Sequence, residues 1–123
     1  MSMVQEVLPF IQENNIQTIV TFDRNGVSGH PNHKNIHAAL PLLRTLAPYV
    51  TIYTLQSKPL YRKFFHLLDC VLTLRESPAG VTAVDTPTPA LRAMLSYPSQ
   101  FVWYRLLFLL FSTYPRLNTL EEF

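Results

Sequence analysis

Two histidines carry the clearest chemistry in the chain. His30 and His33 are separated by Pro31 and Asn32, and they follow a glycine-rich turn, Gly26-Val27-Ser28-Gly29. Imidazole is a good neutral ligand for zinc and a usable acid or base near neutral pH. One ring could bind a metal while the other points at a substrate beside it. Gly26 and Gly29 let the backbone adopt positive φ or pass close to a bound molecule, so Gly26, Ser28 and Gly29 read as a substrate loop. Asp23 could orient an imidazole through its second nitrogen, as carboxylates around metal sites do. Taken alone, a His-x-x-His pair on a loop is more often two ordinary surface histidines. A catalytic zinc also takes three protein ligands and keeps a fourth position open, and the others are not evident. His37, one helical turn beyond His33, is the nearby candidate. His66, among Phe64, Phe65 and Leu67, reads as a packed or half-exposed helix residue.

The elements that must position this turn follow from periodicity. Val4, Val7, Leu8 and Ile11 fall at helical spacing, predicting an amphipathic helix over 3–14 despite Pro9. Ile16 to Phe22 is rich in β-branched residues and reads as a strand that feeds the turn. A helix from about Asn32 carries Ile36, Leu40 and Leu43 on one face, with a kink or break expected at Pro41. Val50 to Leu55 is a second strand. Ser57 could cap a helix from Lys58 to Leu68. Val71 to Leu74 and Gly80 to Val84 are strand candidates, and Ala90 to Leu95 is a short helix. Ser99 could cap a final helix, Gln100 to Thr113. The alternation predicts an α/β fold with a mostly parallel sheet. Ligands of such sheets sit beyond the carboxyl ends of the strands, which is where residues 23 to 33 lie.

Composition excludes several classes. With 123 residues the chain is one domain or part of one. Its 48% hydrophobic and 15% charged content argues against disorder. A net charge of +2 with no Lys/Arg block gives no reason to expect nucleic acid as a partner. The single cysteine, Cys70, forms no internal disulfide and reads as a small buried hydrophobe. No signal peptide is visible at Met1 to Glu6. The run Phe101 to Phe111, broken by Arg105, is shorter than the ~20 residues needed to cross a bilayer. It reads either as a core helix or as an interfacial helix with Trp103, Tyr104 and Phe108 towards a membrane surface.

The run Thr21-Phe22-Asp23 followed by Gly26-Val27-Ser28-Gly29-His30-Pro31-Asn32-His33 resembles the second motif of the LmbE/PIG-L family of zinc-dependent de-N-acetylases, most closely its eukaryotic branch. The likeness continues through Ile52-Tyr53-Thr54-Leu55, Arg62-Lys63, Ser99-Gln100, Val102-Trp103-Tyr104-Arg105 and Leu117-Asn118-Thr119-Leu120. The resemblance implies a Rossmann-like three-layer fold, zinc as cofactor, His33 as a metal ligand and His30 as the catalytic imidazole that stabilises the oxyanion or protonates the leaving amine. It implies the glycolipid GlcNAc-phosphatidylinositol (GlcNAc-PI) as substrate, in the second step of GPI-anchor synthesis on the cytoplasmic face of the endoplasmic reticulum. The family's first motif, His-Pro-Asp-Asp, supplies its other zinc ligands and its general base. No His-Pro-Asp occurs here, and Tyr97-Pro98 stands where the family tends to have a histidine before Ser-Gln. Residues 1–123 are therefore expected to be the C-terminal portion of such a domain, its fold incomplete on the N-terminal side and its zinc ligand set unfinished. The expectation is a chain inactive alone; the alternative is a non-catalytic remnant that binds a membrane or a partner.

Overall fold

The computed structural model describes residues 3–76, 81–84, 86 and 88–123. The chain divides into two compact units, one of residues 1–57 with 120–123 and the other of 58–119.

The first unit begins with α1, Met3–Glu13, which runs through Pro9 without a break. Val4 and Ile11, each 2% exposed, anchor it. The helix stops where Asn15 takes φ 50°. Ile16 N–H then reaches back to the Ile11 carbonyl and Asn15 N–H to that of Gln12. These two bonds satisfy the last carbonyls of the helix. The strand β1, Thr18–Phe22, follows, then one short turn of helix, α2, Gly26–Gly29, and α3, Pro31–Leu46. Pro31 suits the first turn of α3 because its missing N–H would be unpaired there anyway. α3 runs on through Pro41, so of the kink or break expected there the break into two shorter helices does not occur. Leu40 and Leu43 on either side of it are almost wholly buried, and that burial offsets the lost backbone bond.

The strand β2, Thr51–Leu55, pairs parallel with β1, Thr18 opposite Thr51 through Phe22 opposite Leu55. Its other edge takes β4, Leu117–Glu122, antiparallel, with Tyr53 opposite Glu122 and Leu55 opposite Leu120. The sheet through β1, β2 and β4 is therefore mixed, where a mostly parallel one was expected. β4 has no β-branched run to announce it; its pairing with a strand some 65 residues earlier defines it. α1 and α3 pack on this sheet around Val4, Ile11, Leu40, Leu43, Ala47, Val50 and Ile52.

The second unit corrects several boundaries. The helix expected over 58–68 is two pieces, α4, Leu60–Lys63, and α5, His66–Glu76. The strand expected at Val71 to Leu74 lies inside α5. Helical spacing places Asp69 and Thr73 on one face, where Thr73 Oγ1 donates to Asp69 Oδ1 at 3.3 Å. Asp69, 0% exposed, also receives Lys58 Nζ and, at 2.6 Å, Arg62 Nε. Two cations thus converge on one buried carboxylate of this helix. The strand β3, Val81–Val84, matches the expected one, of which Gly80 lies outside the described residues. α6 spans Thr88–Leu95. Ser99 sits within a 3₁₀ turn, Pro98–Gln100, and caps no helix. α7 is shorter than expected, Trp103–Phe111. The Cys70 and His66 side chains lie outside the described residues.

Candidate functional site

The turn after β1 is built by Asp23. Its carboxylate accepts from the amides of Asn25 at 3.1 Å and Gly26 at 2.9 Å. It also accepts from Ser57, through N–H at 2.8 Å and Oγ–H at 2.6 Å. Burial alone would raise the Asp23 pKa, but the Ser57 hydroxyl and the Ser57, Gly26 and Asn25 amides outweigh it and hold the carboxyl below its usual 3.8. Ser57 serves twice, because its Oγ also accepts the Val27 N–H at 2.7 Å. Val27 needs that support. It has φ 62° and ψ −51°, a sparsely populated region for a β-branched residue, and such strain persists only when neighbours enforce it.

Two glycines make this path possible. Gly26 has φ +62°, and a Cβ there would lie 2.9 Å from His33 Cβ and 3.3 Å from Lys34 N. The absent side chain thus lets the first turn of α3 fold back against the loop. Gly29 has φ +78°, with only Lys34 Nζ, 4.0 Å away, near its missing Cβ.

The close approach at Gly26 sets the two imidazoles. His33 Nδ1 lies 3.1 Å from the Gly26 carbonyl oxygen. A carbonyl only accepts, so Nδ1 carries the proton and Nε2 keeps its lone pair. Phe22 stacks on the ring, centroids 3.8 Å apart and planes 11° from parallel. His30 is the N-cap of α3, its Nδ1 accepting the Asn32 N–H at 3.3 Å. A backbone N–H only donates, so the neutral ring carries its proton on Nε2. The rings lie 5.0 Å apart, centroid to centroid. One imidazole of the pair offers a lone pair and its neighbour offers an N–H. His33 is half-buried and His30 exposed.

The other sequence candidates are placed as follows. Asp23 was read as a residue that could orient an imidazole. Its carboxylate instead holds the turn, and the Gly26 carbonyl orients His33. Ser28 is exposed on the loop. His37 packs edge-on against Phe123, centroids 5.4 Å apart, and does not join the pair. With Asp23, Asn25, Gln56 and Ser57 it lines a polar cleft of about 510 Å³, which neither His30 nor His33 lines. On α7, Trp103 and Tyr104 are exposed while Phe108 is half-buried. Ser57 was read as a helix cap. Its part in the turn, 34 residues from Asp23, had no local signal.

The residues present meet zinc only in part. His33 Nε2, with the opposite nitrogen tied to a carbonyl, has the bonding of a metal-binding imidazole. Among the described residues, however, no group of three or more His, Cys, Asp or Glu side chains comes together to hold a metal ion.

No protein-family model and no solved structure matches the chain. Curated proteins do. A Bos taurus N-acetylglucosaminyl-phosphatidylinositol de-N-acetylase is 40% identical over 120 residues, covering 94% of this chain and 47% of its own length. A Schizosaccharomyces pombe protein, named as a probable enzyme of the same kind, is 32% identical over 128 residues, 98% of this chain and 52% of its own. A Dictyostelium discoideum protein, named likewise, is 27% identical over 150 residues, 94% of this chain and 58% of its own. The chain spans about half the length of the curated relatives it matches. Over nearly its whole length, the chain is homologous to the N-acetylglucosaminyl-phosphatidylinositol de-N-acetylases of the PIG-L family.

Proposed function

We propose that this chain supplies the His30–His33 side of an active site that hydrolyses the acetamide of GlcNAc-PI, with zinc as the metal, at the cytoplasmic face of the endoplasmic reticulum. The observation that carries this reading is the opposed bonding of the two rings. His33, steered by the Gly26 carbonyl and the Phe22 face, presents a lone pair fit for a metal. His30 presents Nε2–H at the positive end of the 16-residue α3, where a developing oxyanion is stabilised by the donor and by the helix dipole together. For the same ring to hand a proton to the departing amine, Nδ1 would take up a proton and release the Asn32 N–H. Zinc, when bound, supplies the Lewis acidity that lowers the pKa of water and polarises the amide carbonyl. Zinc sites of this kind use three protein ligands and a base, and residues beyond those gathered here must complete them. Residues 1–123 alone are accordingly expected to be inactive.

The test is acetate release from GlcNAc-PI, with zinc content read in parallel, by a complete enzyme carrying this sequence as its matching half. His33→Ala is expected to lose both metal and turnover. His30→Ala is expected to keep the metal and to lose roughly 10²–10³-fold in rate, the usual cost of one oxyanion donor. Equal zinc content in the two variants would overturn this division of roles. Zinc-dependent turnover by residues 1–123 alone would overturn the expected inactivity.

A further inference from the structure

The surface of α7 is reversed relative to that of a helix facing water. A surface helix normally turns its charged side outward. In α7, Trp103, Tyr104, Leu106, Leu107, Leu110 and Phe111 are all exposed, from 43% at Leu106 to 76% at Trp103. At 3.6 residues per turn these six share one arc of roughly 160°. Leu109, 4% exposed, and the helix's one charged residue, Arg105, project from the opposite side. At its end, Arg116 Nη1 donates to the carbonyls of Leu109, Leu110 and Ser112, so the last turn leaves few bare polar groups. Beside it, Leu91 of α6 joins Leu106, Leu109 and Leu110 around an apolar groove of about 140 Å³, with Arg116 at its edge.

Charge distinguishes between possible occupants. The unit of residues 58–119 holds seven Lys/Arg against three Asp/Glu, an excess of four positive charges. The remaining three Lys/Arg and five Asp/Glu leave the other unit with a deficit of two. Like net charge opposes pairing of this unit with its own copy and favours an anionic partner. At 1.5 Å per residue the nine residues of α7 rise about 14 Å, under half of a bilayer's ~30 Å hydrocarbon layer. No helix among the described residues is long and apolar enough to cross a membrane. Trp103 and Tyr104, packed edge-to-face with centroids 6.0 Å apart, are the residue types enriched at headgroup level. We infer that α7 lies in the surface of an anionic lipid bilayer, its Trp103–Phe111 arc at the boundary between headgroups and acyl chains. This docking is independent of the proposed reaction.

Trp103 is the chain's one tryptophan, so its fluorescence reads α7 directly. The chain is mixed with vesicles of phosphatidylcholine alone, or of phosphatidylcholine with phosphatidylserine or phosphatidylinositol; none carries N-acetylglucosamine, so the outcome does not depend on the deacetylase reading. Flotation with the anionic vesicles, a blue shift of Trp103 emission, and weakening by salt are expected. Leu107→Glu/Leu110→Glu, at two exposed positions, should bind roughly tenfold or more weakly with unchanged circular dichroism. Trp103 emission unmoved by anionic vesicles, or equal binding by the double variant, would overturn the inference. So would sedimentation showing a dimer that the double variant dissociates, with no vesicle binding by either form.

Discussion

Replacing Gly26 and Gly29 separately by alanine tests whether the loop is shaped by close approach or only by backbone conformation. Both residues have positive φ, where an L side chain costs about 1–2 kcal/mol. At Gly29 that is nearly the whole cost, because the closest atom to the new Cβ is the mobile end of Lys34, 4.0 Å off. At Gly26 the new Cβ would sit 2.9 Å from His33 Cβ and 3.3 Å from Lys34 N. Neither atom moves unless the first turn of α3 moves, and such overpacking adds about 1–3 kcal/mol. Gly29→Ala should therefore cost about 1–2 kcal/mol and Gly26→Ala about 2–5 kcal/mol. Urea unfolding followed by circular dichroism measures both. Imidazole ¹⁵N shifts add a readout that stability alone would not move. The His33 ring should keep its Nδ1–H form in Gly29→Ala and lose it in Gly26→Ala, where the 3.1 Å contact with the Gly26 carbonyl is broken. Equal costs at the two positions, or a His33 ring unchanged in Gly26→Ala, would refute the argument that this glycine sets the imidazole.

Two more expectations follow from the charged groups. The Asp23 carboxyl is held below its usual 3.8 in the fold, so its contribution to stability is complete above that value and is lost as pH falls through the lower folded one. Urea midpoints between pH 6 and pH 2.5 should therefore fall less for Ser57→Ala, which removes the strongest of the bonds holding the carboxylate, than for the unaltered chain; parallel curves would contradict the assignment. Asp69→Ala should cost about 3–5 kcal/mol by leaving Lys58 and Arg62 without their buried carboxylate, whereas Glu13→Ala, at an exposed position on α1, should stay within about 0.5 kcal/mol. Thermal unfolding of the two variants separates these cases.

Local patterns were legible because local forces decide them. The β-branched runs at Thr18–Phe22 and Thr51–Leu55 fold as strands, and the Asn14-Asn15 stop ends α1 through bonds made within six residues. The His30–His33 spacing likewise places both rings at the start of α3, since a cap and its first turn are one local unit. The short apolar stretch Val71–Leu74 was misread because four such residues suit strand and helix alike. There the Asp69–Thr73 contact, which needs helical spacing, sits at a carboxylate that gathers Lys58 and Arg62 from outside α5. The sense of the sheet was hidden for a similar reason, since β4 is defined by pairing with β2 from far along the chain. Sequence by itself determined which residues are equipped for chemistry and that β1, β2, α1 and α3 form where they do. Only the tertiary structure decided that Ser57 locks the Asp23 turn and that Gly26 aims the His33 ring. Those contacts join residues 34 and seven positions apart, and no local propensity specifies a partner across a fold.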